Sequence, residues 1–326
     1  MPSSRCHNTG LLRGLPVRSL SLLSLALMAC GDGPTVVREV DTLVRTVDVQ
    51  GSSRSYWLYV PASAAASPST PLLLVFHGAT QTASGAALMS WLYPLADAEG
   101  LIVADPQATG DYWNTPNSLP RYWDVPDVPF VDEVINDIDR EFGVDRSRLY
   151  VAGFSNGAIF TEVLACTRGD RFAAVAMVGA SMSLEISQNC PSSRPIPALF
   201  FFGDTDPQFS WSDGFTAASG MLGGAGSAQW WAMNNGCQPQ RTTTALPHLA
   251  DDGTSVERWD YAECAAGSGF VFYKILGGGH TWPGSPLNLN LNLNLSRGLG
   301  RKSRDLDASR VMVDFFNGYS VAGAGW

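Results

Sequence analysis

The chain has 326 residues, 45% of them hydrophobic and 16% charged, with a formal net charge of −9. This composition supports one large buried core and excludes a disordered chain, and the acidic balance makes nucleic acid and anionic lipid poor partners.

Residues 1–29 read as an export signal. Arg5, Arg13 and Arg18 precede the apolar run Leu20–Ala29, which is too short to span a bilayer and ends in Leu-Met-Ala before Cys30. The run resembles a bacterial lipobox, which implies lipidation of Cys30; cleavage without lipid and a short membrane anchor are the alternatives. No other stretch is apolar for long enough to cross a membrane. Residues 30–44, which begin with Gly and Pro after the cysteine, read as a tether, and 45–320 as a single folded domain.

Within the domain, Thr46–Gln50 and Tyr56–Val60 alternate about Gly51-Ser52-Ser53, which predicts a hairpin. After an Ala/Ser/Pro linker, PLLLVFHG is a continuous apolar strand of the kind buried on both faces of a parallel sheet. A helix over Ala86–Ala98, despite Pro94, and the strand LIVAD follow. Val131, Val134, Ile135, Ile138 and Phe142 mark the apolar face of another helix. Leu149–Ala152 is a short strand, and Ala158, Ile159, Val163 and Leu164 recur at helical spacing directly after it. FAAVAMVG, PALFFFG and FVFYKIL complete the strands, and a helix carrying Val311, Phe315 and Phe316 closes the domain. This alternation predicts an α/β fold with a doubly wound, mostly parallel sheet.

The turn between strand and helix reads GFSNG. Gly-x-Ser-x-Gly alone is a weak signal in a chain with 33 glycines, but a strand before it and a helix after it make Ser155 a candidate nucleophile, against a plain turn serine. A hydroxyl needs a neutral imidazole to take its proton. His7 lies in the leader, His77 precedes the serine at a strand end, and His248 sits in a polar loop. His280 follows the last strand in KILGGGHTWPG and is the candidate base. The acid belongs at a strand end between them, where GDTDP offers Asp204 and Asp206; spacing alone does not choose. The oxyanion requires two backbone N–H donors, one from Asn156 and one from the loop after His77, at Ala79 with Thr80 as the alternative.

Six cysteines become four once Cys6 leaves with the leader and Cys30 is set aside. An even set in an exported chain predicts disulfides, with Cys166–Cys190 and Cys237–Cys264 preferred as the closest pairs along the chain. A metal site is the weaker alternative, because neither Cys-x-x-Cys nor His-Glu-x-x-His occurs, and no cofactor is implied.

FHGATQ, GFSNGA, GDTDP, NGC and GGGHTWPG together resemble the esterase family of polyhydroxybutyrate depolymerases and feruloyl and acetylxylan esterases. The resemblance spans most of residues 45–317 and implies an α/β-hydrolase catalytic domain with Ser155, Asp206 and His280 as its triad. It also implies a substrate-lining role for Trp282 and for Trp113 with Asn114; Thr80 is a further substrate-binding candidate, and Trp123 a further candidate wall. Two departures stand out. Asp204 replaces the usual Thr of the acid motif, and Ala79 replaces the cysteine of the oxyanion loop, a change to which a backbone donor is indifferent. The tract LNLNLNLNL at 287–295 is a third; it reads as a surface insertion, with a cleft rim as the alternative, and as an edge-pairing hazard.

These features imply an exported or lipid-anchored serine esterase that works through an acyl-enzyme on polyhydroxyalkanoate-type oligomers or on feruloyl or acetyl esters of plant polysaccharide. The lipid would be its only membrane contact. A catalytically inactive hydrolase fold acting as a surface-binding lipoprotein is the alternative.

Overall fold

The computed structural model describes residues 42–321 apart from 65–66, 68, 191–193, 213–219 and 288–295. The expected export signal, Cys30 and almost all of the Leu/Asn tract lie outside these residues, and the described ones belong to a unit that begins at Val40.

Among the described residues ten strands form one sheet: β1 (Thr42–Val49), β2 (Ser52–Tyr59), β3 (Thr70–Phe76), β4 (Ile102–Pro106), β5 (Val144–Phe154), β6 (Ala174–Val178), β7 (Ala198–Gly203), β8 (Arg241–Ala245), β9 (Ser255–Tyr261) and β10 (Phe270–Leu276). Their order across the sheet is β1-β2-β4-β3-β5-β6-β7-β10-β9-β8. The six strands from β4 to β10 in that order run parallel, and an antiparallel pair flanks them on each side. This is the doubly wound, mostly parallel sheet of an α/β-hydrolase.

The helices are α1 (Ala83–Ser90), α2 (Tyr93–Glu99), α3 (Asp127–Phe142), α4 (Asn156–Arg168), α5 (Leu184–Gln188), α6 (Gly223–Asn234), α7 (Ser296–Leu299) and α8 (Ala308–Phe316). Alternate residues of β3 enter two cores. Leu72, Leu74 and Phe76 pack with α3, α4 and α6, whereas Leu73 and Val75 pack with α2 and α8. A strand covered on both faces has no polar side, which is why PLLLVF is unbroken.

Several local expectations are corrected. The first strand starts at Thr42, inside the expected tether, and the hairpin turns at Gln50-Gly51, both at positive φ, rather than at Gly51–Ser53. The helix expected over 86–98 is two helices. Trp91 adopts a left-handed conformation that ends α1, and Pro94 opens α2, where a missing N–H costs nothing. β8 and β9 lie outside the expected strands. The disulfides are Cys166–Cys190, which fastens the end of α4 to the segment after α5, and Cys237–Cys264. With sequence separations of 24 and 27, each closes a loop worth roughly 3 kcal/mol of chain entropy.

Register aligns the carboxyl ends of the parallel strands. Phe76 faces Gly153, Phe154 faces Val178, Val178 faces Phe201, and Gly203 faces Ile275. The loops that follow, bearing Ala79, Ser155, Asp206 and His280, therefore emerge along one edge, where open α/β sheets place their ligands.

Candidate active site

Ser155 sits between β5 and α4 with φ 55° and ψ −122°, a conformation that side-chain-bearing residues rarely adopt. Its backbone is held at both ends: its N–H donates to Val178 O at 2.9 Å, and its carbonyl accepts from Ala158 and Ile159. The flanking glycines are steric necessities. A Cβ on Gly153 would lie 2.2 Å from Gly157 O, and one on Gly157 would lie 2.2 Å from Phe76 O. Helix and strand thus meet at backbone contact, and the strained serine is thrust up between them.

His280 and Asp206 meet across the neighbouring loops. Nδ1 of the buried imidazole is 2.8 Å from Asp206 Oδ2. The other carboxylate oxygen accepts the backbone N–H groups of Gln208 and Phe209, at 2.7 and 3.1 Å. Because the carboxylate can only accept, Nδ1 carries a proton and Nε2 keeps its lone pair for another partner. Phe154, the residue before the serine, lies 4.8 Å from the imidazole between ring centroids, and Phe209 lies 5.6 Å away.

The residues before Asp206 grip the same loop. Asp204 Oδ1 accepts the Gly277 N–H at 2.7 Å, and its other oxygen is 3.4 Å from Lys274 Nζ. Thr205 donates both its N–H and its hydroxyl to Gly278 O. Three consecutive residues after β7 therefore hold three successive parts of the segment after β10. From the other side, Gly279 N–H donates to Arg301 O and His280 N–H to Leu299 O. A Cβ on Gly279 would lie 2.1 Å from Leu299 O, so only glycine fits between these strands of backbone. Lys302 closes the same region by donating to the carbonyls of Ser285 and Leu287.

His77 is a structural imidazole. Its Nε2 accepts the Ala108 N–H at 3.1 Å, so Nδ1 bears the proton and donates to Gly78 O at 2.8 Å. Burial holds its pKa below the ordinary value and keeps it neutral. The ring thereby ties the loop after β3 to the end of β4. No hydrogen bond among the described residues takes the N–H of Ala79 or Asn156. The Thr80 N–H, by contrast, donates to Asp111 O at 2.8 Å. The Asn156 side chain accepts the Trp113 N–H at 2.8 Å and donates to Thr115 Oγ1 at 3.2 Å, locking the 113–115 loop to the start of α4.

A cleft of about 410 Å³ opens above Ser155, lined also by Ala79, Asn156, Tyr112, Gln208 and Phe209. Three expected lining residues are elsewhere. Trp113 is fully buried, stacked on Phe160, with its indole N–H on His77 O. Trp282 is buried in the α8 core, where its indole N–H donates to Ser309 Oγ at 3.0 Å. Thr80 is exposed and absent from the cleft wall. Each tryptophan has an internal acceptor for its indole, so burial leaves no polar group unpaired. Tyr112, Gln208 and Phe209 line the cleft without belonging to any of the motifs, although the last two directly follow Asp206-Pro207. His248 stays in its loop, paired with Asp305 at 2.7 Å. Among the described residues, no group of three or more His, Cys, Asp or Glu is arranged to hold a metal ion.

A protein of Nocardia uniformis, "Putative esterase NocK", is 30% identical over 297 residues, covering 86% of this chain and 84% of its own. The chain belongs to this esterase family. Feruloyl esterase C of Emericella nidulans, another relative, is 28% identical over 267 residues, covering 80% of this chain and 84% of its own. Among solved structures, an acetyl xylan esterase from Aspergillus awamori shares the fold with a TM-score of 0.55 at 16% identity, covering 77% of this chain and 97% of its own. No protein-family model matches the chain. The relatives are esterases by name, and the solved structure shares this chain's α/β-hydrolase sheet.

Proposed function

We propose that the protein is an exported serine esterase in which Ser155 is the nucleophile, His280 the general base and Asp206 its orienting acid. The 2.8 Å contact between His280 Nδ1 and Asp206 Oδ2, with the ring of Phe154 against the imidazole and the strained Ser155 next in sequence on the cleft wall, carries this reading. Oγ adds to the ester carbonyl carbon as its proton passes to His280 Nε2. The oxyanion lies against the N–H groups of Ala79 and Asn156, each worth roughly 3 kcal/mol to such a transition state. Collapse expels the alcohol, which takes the proton from Nε2 and leaves an acyl group on Ser155. Water, deprotonated by the same nitrogen, then adds to the acyl carbon, and the acid leaves as Oγ regains its proton. Asp206 stays ionised and favours the transient imidazolium.

The relatives' names favour feruloyl or acetyl esters of polysaccharide as substrates over polyhydroxyalkanoate oligomers. The two disulfides suit an oxidising compartment and support export. Labelling with a fluorophosphonate tests the chemistry: the wild type should label and Ser155→Ala should not. Failure of the wild type to label would return the inactive, surface-binding reading. Parallel kinetics on methyl ferulate, acetylated xylan fragments and hydroxybutyrate oligomers test the substrate, with the highest kcat/KM expected for one of the first two.

A further inference from the structure

A second cavity, about 580 Å³, lies beside the cleft and plays no part in the chemistry above. The two share a wall. On α4, Asn156 and Ile159 face the cleft while Phe160, Val163 and Thr167 line the groove; in the preceding loop, Tyr112 and Asn117 face the cleft while Asn114, Thr115 and Pro116 line the groove. At 1.5 Å per helical residue, Val163 to Thr167 lie roughly 12 to 18 Å along α4 from Ser155. That distance is beyond the alcohol part of a methyl ester and within reach of an oligomeric one.

The groove carries an aromatic platform. Trp123 is 54% exposed, yet it is not loose. Its indole N–H donates to Ser118 O at 3.1 Å, its backbone N–H to Pro120 O, and its carbonyl accepts from the Asn114 side chain. An exposed indole fixed in this way gives up little entropy when a ligand covers it. The groove also carries Glu185 and Asn189, both exposed and four residues apart along α5 and its C-cap, so they share a face.

From this combination we infer that the groove is a subsite for a neutral glycan, binding the sugar chain to which the scissile ester is attached. The inference rests on the esterase reading above and adds where the non-reacting part of the substrate lies. A sugar ring offers an apolar C–H face, which matches the indole face, and a rim of hydroxyls. The Glu185 carboxylate accepts hydrogen bonds, so a ligand that displaces its water binds well only if it brings donors of its own. Sugar hydroxyls supply them. The interior of a polyester chain has only acceptor oxygens and would leave that carboxylate unanswered.

The experiment compares KM for an acetylated xylo-oligosaccharide with KM for methyl acetate in the wild type and in Trp123→Ala, Trp123→Phe and Glu185→Ala. The ratio of oligosaccharide KM to methyl-ester KM should rise about tenfold in Trp123→Ala, stay near wild type in Trp123→Phe, and rise a few-fold in Glu185→Ala, with kcat following the methyl ester. Unesterified xylo-oligosaccharide should quench tryptophan fluorescence in the wild type and not in Trp123→Ala. An unchanged KM ratio in Trp123→Ala, or an equal KM increase for hydroxybutyrate oligomers, would overturn the inference. Fluorophosphonate labelling of each variant keeps this outcome separate from failure of the esterase reading, since that failure abolishes labelling in the wild type as well.

Discussion

The two halves of the site are held by different mixtures of forces. Ser155 is placed by backbone alone: its neighbours in sequence are strand, turn and helix, and the glycines at 153 and 157 let main chain touch main chain. His280 also follows a glycine with no room for a side chain, Gly279, but it is oriented by hydrogen bonds to other segments, Asp206 at a separation of 74 and Leu299 on the other side. Steric placement tolerates no added atom, whereas hydrogen-bonded placement can weaken by degrees. Added bulk beside the serine should therefore fail abruptly, whereas loss of one hydrogen bond around the histidine should cost rate while the fold survives.

Gly157→Ala gives the abrupt case. Its Cβ would stand 2.2 Å from Phe76 O and 2.5 Å from His77 O, both backbone atoms. We expect loss of fluorophosphonate labelling and a fall in stability of several kcal/mol in guanidinium unfolding. A folded, labelled variant would show that the elbow can spread. In the other half, Asp206→Asn preserves shape but offers an amide where the imidazole needs an acceptor, and kcat should drop about 10⁴-fold with little change in KM. A drop of less than tenfold would transfer the role of acid to another carboxylate.

Asp105 is a buried carboxylate at a strand end with a single donor. Unlike Asp206, it receives only the Tyr93 hydroxyl, at 2.9 Å, and its other oxygen has no partner. Burial pushes its pKa up to about 8. Above pH 4 the unfolded chain releases this proton while the folded chain retains it, so the folded state binds more protons and stability falls as pH rises towards 8. Asp105→Asn should remove that slope, gaining at most about 4 kcal/mol over wild type at pH 7 and nothing at pH 4. Equal differences at both pH values would refute the shift. The smallest effect belongs to Asp204→Asn, which keeps an acceptor for Gly277 N–H but gives up the charge facing Lys274. A decrease in kcat of about tenfold, with KM unchanged, is expected from slight misplacement of His280; no decrease would mean that Thr205 holds the loop by itself.

The same contrast governs what was legible in the sequence. The elbow is local, so strand, GFSNG and helix could be read from adjacent residues, and the buried strands announced themselves as unbroken apolar runs. β8, RTTTA, is exposed at every position, and β9 alternates only weakly, so neither carried a burial signal. Spacing left Asp204 and Asp206 equivalent because their difference lies in partners more than 70 residues away. The tryptophans were misplaced for a related reason. Trp113 and Trp282 occupy the core because His77 O and Ser309 Oγ satisfy their indoles, and neither acceptor is visible in a local motif.

The closure formed by Lys302 has a practical consequence. With Gly284 N–H on Ser303 O and Lys302 on the Ser285 and Leu287 carbonyls, the two stems of the segment between 287 and 299 are fastened independently of whatever joins them. Closure entropy grows only with the logarithm of length, about 0.6 kcal/mol per doubling. Trimming residues 288–295 is therefore expected to leave kcat unchanged, since the described hydrogen bonds that seat the imidazole, to Asp206 and Leu299, lie outside them.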